Sequence, residues 1–423
     1  MIDTKFLQQF PELVKTNNKN RGKEVDVQVM LDMIAARADL LAQVQEERTK
    51  LNEMADQISK TKSKDERDAL IEKSRLMKEM SRFAQSELEI TELAISKELK
   101  NYPNILRDDV PVGADERANQ IVRTFAQPPV FNFEPKDHLD LGEALGVIDM
   151  QRAAKVAGAR FVYLKGDAVL LEFALLQYAL RTTSQEGFTP VVPPHLITTQ
   201  SMSAMGYLEH GGEEEIYHLK NDDLVLIGTS EQVLGPMHAD EILDADKLPL
   251  RYVGFSPCYR REAGSYGKDT RGILSVHQFD KVEMFSFTTP DKSDDEHELL
   301  LSIQERLMQG LKLPYKVVKL CSGDTGAPSA RTYDIETWIP SQKTYRETHS
   351  TSNTTDFQTR RLNIRTKQAG KNVFVHALNG TAFAIGRVSI AIMENYQQED
   401  GSVVVPEVLQ AFVGKDRIEK ISQ

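Results

Sequence analysis

Arg260, Arg261 and Glu262 open a short segment, Cys258–Glu283, whose far end carries His277, Phe279, Lys281 and Glu283. Read as CYRREAGSYGKDTRGILSVHQFDKVE, it is too polar for a pair of core strands and too regularly patterned for a loop. Strand-like residues lead into the arginines, a glycine-rich charged turn follows between Gly264 and Gly272, and an alternating run returns to Glu283. Period-two alternation puts Arg260 and Glu262 on one face of the first strand, and His277, Phe279, Lys281 and Glu283 on one face of the second. Where those faces coincide, a guanidinium, two carboxylates and an aromatic ring share one floor. Arginine grips a phosphate through two parallel hydrogen bonds, Phe279 offers a ring to a purine, and Glu283 a carboxylate to an amino group. The chemistry this suits is a nucleotide held beside an amino acid. Cross-strand salt bridges on an exposed sheet would use the same residue types pair by pair, but do not call for the whole set.

Three further clusters complete the set. Arg331–Asn353, RTYDIETWIPSQKTYRETHSTSN, places Asp334, Glu336 and Glu347 among hydroxyl side chains; Glu347 and Ser350 are hard oxygen donors of the kind Mg²⁺ shares with substrate phosphates. Trp338 reads as packing, and nothing nearby in sequence orients His349 as a base. In ALNGTAFAIGRVSIAIMEN a strand ends near Asn379 and Gly380, and Arg387 follows Gly386 at the start of an apolar helix. A cation there opposes the helix dipole, which points to placement for an anion. Gly228–Thr229–Ser230–Glu231 closes an apolar strand with hydroxyls and a carboxylate suited to a small polar ligand. The chain has neither a GxxxxGK[ST] loop nor a GxGxxG turn after a strand, so a nucleotide would rest on side-chain arginines and a sheet floor.

The elements that position these residues are legible in outline. At 423 residues with a net charge of −11, the chain has room for two or three domains and is not a uniformly nucleic-acid-coating protein. Two cysteines outside any CxxC pair imply no disulfide framework and fit a reducing, cytoplasmic setting. The N-terminus lacks the basic start and apolar run of a signal peptide, and no apolar run is long enough to cross a bilayer. From Val25 to Leu99, Leu41, Val44, Leu51, Ala55 and Ile58 follow 3–4 spacing, as do Leu76, Met80, Phe83, Ile90 and Ala94. Polar SKTKSKDERD lies between the runs. This predicts an antiparallel two-helix coiled-coil arm that projects from a larger body. Lys60, Lys62, Lys64, Lys73, Arg75 and Lys78 cluster near its tip and could contact phosphates, although a solvated helix surface uses the same residues.

NYPNILRDDVPVG breaks the helix, giving an N-terminal domain at 1–108 and a second domain at 109–423. Beyond it, helices are expected at Asp167–Leu180, over DDEHELLLSIQERLMQGL and after Gly386. Strands are expected in GFTPVVPPHLI, DDLVLIGTSE, LPLRYVGFSPCYRRE, SVHQFDKVEMFSF and KNVFVHALNG. Strands in adjacent pairs favour an α+β fold on an antiparallel sheet over a dinucleotide-binding fold.

These elements resemble the signature motifs of class II aminoacyl-tRNA synthetases, and most closely the seryl-tRNA synthetase family. The Cys258–Glu283 hairpin resembles motif 2, NGTAFAIGR with ENYQQEDGSVVVPEVL resembles motif 3 and its tail, and Pro194 resembles the motif 1 proline at a dimer interface. The resemblance covers nearly the whole chain and implies a homodimer that joins L-serine to serine tRNA, and to selenocysteine tRNA where that is served. It implies ATP as substrate, Mg²⁺, and a helical arm that grips the long variable arm of the tRNA. For ATP it implies Arg260 at the α-phosphate, Arg387 at the γ-phosphate side, Glu262 near the adenine with Phe279 stacked on that ring, and Arg261, Val276, Thr348 and His349 among the ATP-binding residues. The glutamate-to-serine tetrapeptide would be Glu347, Thr348, His349 and Ser350, whose two ends hold the metal. Thr229, Ser230, Glu231, Arg260, Glu283, Asn379 and Thr381 would line the serine pocket. Two positions depart from the family's usual pattern: Thr348–His349 stands where Ile–Ser is frequent, and Thr381 where serine is usual. The alternatives are an amino-acid:carrier-protein ligase on the same catalytic body and a catalytically inactive tRNA-binding paralogue.

Overall fold

The computed structural model describes residues 2–209, 212–263 and 271–420. Two compact units divide the chain between Pro103 and Asn104.

The first unit is dominated by two long helices, α1 (Val27–Lys60) and α2 (Lys64–Leu99). Asp26 starts α1 by accepting from the backbone N–H of Gln28 at 2.8 Å, satisfying a donor the first turn leaves open. Asp65 and Glu66 favour the N-terminal end of α2. Only residues 61–63 separate the helices, so most of SKTKSKDERD is wound into them. Met30, Ile34 and Met54 of α1 face Ala84, Leu88, Ile95 and Leu99 of α2 as the buried seam. Leu41, Val44, Leu51 and Ile58 are half-buried along the same line, while Ala55 is exposed.

The expected seam on α2 is incorrect. Leu76, Met80, Phe83 and Ile90 are exposed, Phe83 at 71 % against 5 % for Leu88, and Ala94 is only half-buried. This helix carries two 3–4 series about a third of a turn apart. The series that packs, Ser74–Met77–Ser81–Ala84–Leu88–Thr91–Ile95, holds the smaller side chains, which let the helix axes approach. The larger residues remain outside. Of the basic residues near the tip, Lys60 pairs with Asp56 at 2.5 Å, and Arg75 with Glu72 and Glu79 at 2.7 and 3.1 Å.

The second unit is built on an eight-stranded sheet. Its strands are β1 (Gln120–Phe125), β2 (Thr189–Val191), β3 (Leu250–Tyr259), β4 (Gln278–Thr288), β5 (Tyr315–Lys319), β6 (Arg331–Ile339), β7 (Thr344–Thr355) and β8 (His376–Ala384). They lie in the order β1-β5-β6-β7-β8-β4-β3-β2, antiparallel at every pairing except β2 with β3. Four helices matter to the site: α3 (His138–Leu145), α4 (Asp167–Gln185), α5 (Ser293–Gly310) and α6 (Ile385–Asn395). KNVFVHALNG is not one strand: Lys371–Phe374 pairs in a small separate sheet and β8 begins at His376.

Leu171 and Leu175 of α4, Ile303 and Leu307 of α5, and Val388 and Ile392 of α6 join Val282, Met284, Ile335, Leu378 and Phe383 of the strands in one hydrophobic core. Alternation along β4 therefore gives Val282 and Met284 to the core and leaves Phe279, Lys281 and Glu283 for the opposite face. Gln304 of α5 ties strand to strand through the core, donating to the carbonyls of Ser350 at 3.0 Å and Thr381 at 2.9 Å. At the sheet's other end Arg251 and Glu296 pair at 2.6 Å, and Ser286 donates to the same carboxylate at 2.8 Å.

The seam on the arm gives a direct test. Leu88→Ala removes a buried side chain and is expected to cost about 2–4 kcal/mol of arm stability, whereas Phe83→Ala is expected to cost less than about 0.5 kcal/mol. Amide hydrogen exchange over 27–99 reads both variants. Faster exchange in Leu88→Ala alone is the expected outcome, and faster exchange in Phe83→Ala would restore the other seam.

Candidate active site

β3 and β4 pair so that Glu283 lies opposite Gly254, and β4 pairs with β8 so that Glu283 also lies opposite Thr381. Above this junction opens a cavity of about 400 Å³. Its floor is the strip Phe279–Lys281–Glu283. Arg260 and Glu262 enter from the end of β3, Thr229 from the loop before a short helix and Glu231 from that helix's first residue, Asn379 and Thr381 from β8, Glu347 and Ser350 from β7, and Arg387 from the first turn of α6. Residues scattered over more than 150 positions of sequence are thus brought together as expected.

At the Phe279 end, the Arg260 guanidinium lies over the Phe279 ring, 5.3 Å from its centroid, and its Nε donates to the Gly228 carbonyl at 3.2 Å. Arg387 donates to the Glu347 carbonyl at 3.0 Å and pairs with its carboxylate at 3.2 Å. Both guanidinium groups keep donors for a further anion. Val276 forms part of the wall. Strand alternation does not carry Arg260 and Glu262 to one face, because β3 ends at Tyr259 and Glu262 takes a left-handed backbone (φ 52°). That backbone is held from elsewhere: Arg160 Nη1 donates to the Glu262 carbonyl at 2.9 Å, and the Glu262 carboxylate accepts from Ser275. The turn at 264–270, including Gly264, lies outside the described residues.

The return segment is fixed by a buried histidine. The Ile273 N–H donates to His138 Nε2 at 3.2 Å, so the ring proton sits on Nδ1 and bonds Glu394 of α6 at 3.0 Å. Gly272 lies against this ring with φ 77°, and a Cβ there would sit 2.1 Å from His138 Nε2.

At the Glu283 end the groups are buried and polar. Glu231 accepts from Asn379 Nδ2 at 3.2 Å and from Gln358 Nε2 at 3.5 Å. Burial pushes the Glu283 carboxyl up to about 7; the Lys281 ammonium pulls against this, Glu231 adds to it, and the Thr381 hydroxyl also stabilises the anion. Lys281 Nζ lies 2.6 Å from Glu283 Oε2 and donates to Thr229 Oγ1 at 3.2 Å. Tyr207, on the facing wall, has its hydroxyl raised well above the usual phenol range by burial and by Glu231, to which it donates.

On β6 and β7, Asp334 stands opposite Ser350 and Glu336 opposite Glu347. Burial, with Glu347 next in weight, raises the Asp334 carboxyl well above the carboxylate range, while a hydrogen bond from Ser350 opposes this. Asp334 Oδ1 is buried without a hydrogen-bond partner.

Five expected site residues do not present their side chains to the cavity. Ser230 points down onto β3, its hydroxyl 2.7 Å from that of Ser256, in space that a Cβ at Gly254 would take, 2.9 Å from Ser230 Cβ. Arg261 turns outward over the Tyr217 ring. His349 is 1 % exposed, bonded to the Thr348 hydroxyl at 2.8 Å and edge-on to Phe383, so its ring belongs to the sheet interior. His277, placed with Phe279 by alternation, lies before β4 and packs between Phe161 and Tyr217. The Thr348 side chain is likewise taken up by the sheet, its hydroxyl 2.7 Å from that of Thr337. Conversely, Tyr207, Gln358, Arg160 and the His138–Glu394 pair carry the site without any sequence signal, since each acts through a fold contact.

An antiparallel sheet with arginines over its floor, and a motif helix rising from its central strand, defines a class II aminoacyl-tRNA synthetase catalytic body. Residues 216–396 match the class II tRNA synthetase core domain shared by the G, H, P, S and T enzymes, and residues 1–106 match the seryl-tRNA synthetase N-terminal domain. The serine--tRNA ligase of Thermobifida fusca is 45 % identical over the whole of both chains, and that of Rubrobacter xylanophilus 42 % over 99 % of each. Seryl-tRNA synthetase from Pyrococcus horikoshii, solved in complex with ATP, superposes over both full chains with a TM-score of 0.94 at 39 % identity. The cytoplasmic serine-tRNA ligase of Naegleria fowleri, solved with AMP, gives 0.90 at 31 % identity over 100 % of this chain and 99 % of that one. The chain belongs to the seryl-tRNA synthetase family. It is an enzyme that attaches serine to tRNA.

Gly272→Ala is expected to destabilise the catalytic unit by more than about 1 kcal/mol, from the positive φ and the His138 clash together. Because the same loop carries Val276, it is also expected to raise the KM for ATP. Thermal unfolding and exchange kinetics check the two effects, and an unchanged midpoint would show that the loop does not need this glycine.

Proposed function

We propose that the cavity binds ATP at its Phe279 end and L-serine at its Glu283 end, and that the two react across the strip between them. One observation carries this: a single strand face, Phe279–Lys281–Glu283, runs from an arginine-roofed aromatic to a buried, hydroxyl-lined carboxylate. Phe279 stacks the adenine with Glu262 and Val276 at its edge. Arg260 takes the α-phosphate and the serine carboxylate, and Arg387 the γ-phosphate. The Glu231 and Glu283 carboxylates take the serine ammonium, while Glu283, Thr381, Asn379 and Thr229 surround its hydroxyl.

Serine activation forms one bond and breaks one. A serine carboxylate oxygen attacks the α-phosphorus in line, and the bond to the bridging oxygen breaks to release pyrophosphate and leave seryl-adenylate. The 3′-hydroxyl of the tRNA's terminal adenosine then attacks the activated carbonyl and AMP departs. Positioning and charge neutralisation by Arg260 and Arg387 supply most of the catalysis. Alanine would leave the buried Glu283 and Thr381 groups without the hydroxyl they surround, which discriminates by orders of magnitude.

Mg²⁺ fits the residues present. Glu347 and Ser350 are hard oxygen donors, and the crowded carboxyls of Asp334, Glu336 and Glu347 favour a divalent cation nearby. When bound, it neutralises phosphate charge.

The same reading divides the chain into a tRNA-binding domain at 1–108 and a catalytic domain at 109–423. It assigns the grip on serine tRNA to the arm, with Lys60, Lys62, Lys64, Lys73, Arg75 and Lys78 contributing phosphate contacts. It places the enzyme in the cytoplasm; among the described residues no helix is long and apolar enough to cross a membrane. A homodimer is supported by exposed apolar side chains on α4 and beyond β2, namely Leu170, Phe173 and Val192. None of the relatives named above supports the carrier-protein alternative.

Arg387→Ala is expected to lower serine-dependent ATP–pyrophosphate exchange by on the order of 10²–10³-fold, and exchange at the wild-type rate would remove Arg387 from phosphate binding. Deleting Thr61–Asp65 is expected to reduce kcat/KM for tRNA charging at least about tenfold through lost phosphate contacts while sparing exchange. An equal fall in both activities would count against an arm dedicated to tRNA.

A further inference from the structure

Lys281 has no role in the assignments above, yet it occupies the middle of the cavity floor. It follows Phe279 and precedes Glu283 by two residues each, about 6.8 Å along the strand in each direction. It is 8 % exposed, and a lysine this buried is rare unless paired. Its partners are Glu283, 1 % exposed, at 2.6 Å, and the Thr229 hydroxyl at 3.2 Å. Both lie at the end of the cavity assigned to serine.

The groups around Glu283 define what this contact does. Glu231 faces it from the short helix Glu231–Leu234, Tyr207 from the segment after the helix Thr199–Met205, and Cys258 and Arg260 from β3 and its end; Thr381 lies opposite on β8. Of the two cations, Arg260 is turned over Phe279 and bonded to Gly228. Lys281 alone touches Glu283. With Lys281 and Arg260 against Glu231 and Glu283, the formal charges cancel, as a pocket for a zwitterion requires. Without Lys281, two buried carboxyls would face each other with no cation in contact, and one would take up a proton.

We propose that Lys281 is a positioning residue for serine selection: its ammonium holds Glu283 as an anion and, through Thr229, fixes the pocket wall that receives the serine ammonium and hydroxyl. This rests on the reading that serine occupies the Glu283 end. The lysine needs no contact with ATP, so its loss acts on one substrate only.

The test compares full-length wild type with K281M, K281Q and K281R in ATP–pyrophosphate exchange between pH 6 and 8.5, below the titration of free serine's own ammonium. The KM values for serine and ATP are measured separately. Glu283 must be ionised to bind, and its carboxyl is raised to about 7. Serine affinity is therefore present above that pH and lost as pH falls through it, which gives a limb near pH 7 in wild type. In K281M and K281Q the limb is expected to move up by about one unit or more, raising the serine KM at pH 7 at least about fivefold. The ATP KM is expected to stay within about twofold, and K281R, which keeps the charge, to retain the wild-type limb. K281Q keeps hydrogen-bond donors without the charge and carries the test where K281M does not fold. An unmoved limb in the neutral variants overturns the proposal, as does a pH-independent rise of both KM values together. Absence of serine-dependent exchange in wild type would instead overturn the assignment of the serine end.

Discussion

The register of β4 between β3 and β8 is the constraint on which the site depends. Glu283 lies opposite Gly254 on one side and Thr381 on the other. A slip of one residue would send Phe279, Lys281 and Glu283 into the core and bring Val282 and Met284 to the cavity. The core itself enforces the register, because Val282 and Met284 belong to the same cluster as Leu307, Phe383 and Ile392. The register shift in β8 between Thr381 and Phe383 then has a clear use. It lets Thr381 face the cavity while Phe383, two residues on, returns to the core, and it sets the angle at which α6 leaves with Arg387 in its first turn.

A second set of contacts holds the loops to this sheet. His138 receives the Ile273 N–H and gives its own proton to Glu394, so the return segment of the hairpin and α6 are pinned by one ring. Arg160 holds the Glu262 carbonyl and the His277 N–H bonds the Arg160 carbonyl at 3.1 Å, joining both ends of the same hairpin. Buried polar contacts of this kind hold their geometry because breaking one leaves a group without water or a partner. They explain how a strained Glu262 and a mostly irregular segment can stand at a cavity wall.

What the sequence made legible follows from the same physics. Alternation along 279–283 is a backbone property, so the strip that faces the cavity could be read directly, as could the arginine in the first turn of α6. The two-helix arm was legible because its apolar spacing is helical throughout. Its packed face was not. The larger side chains at Leu76, Met80, Phe83 and Ile90 suggest a seam, but close approach selects the smaller series through Ala84 and Leu88, a choice made by the partner helix. Ser230, Arg261, His277, Thr348 and His349 turn their side chains away from the cavity for related reasons. Each sits where a strand ends, bulges or meets a glycine, and there the period no longer tells which way a side chain points. Tyr207 and Gln358 lie outside every motif and reach the site only through contacts distant in sequence, Gln358 with Glu231 across 127 positions.

The electrostatics of the two ends of the cavity differ in a way that fits the ligands proposed for them. At the phosphate end the cations are half exposed and already touch acceptors, Arg387 on Glu347 and Arg260 on a carbonyl, so they can exchange one oxygen partner for another at little cost. At the serine end the charges are desolvated, and each carboxylate has protein partners before any ligand arrives. A buried charge left without its partner is expensive, so a ligand there must replace every contact it disturbs. On the proposed reading serine does so because its ammonium and hydroxyl both meet buried acceptors. On that reading an amino acid lacking the hydroxyl leaves part of this network unpaired, and discrimination against it comes from that loss.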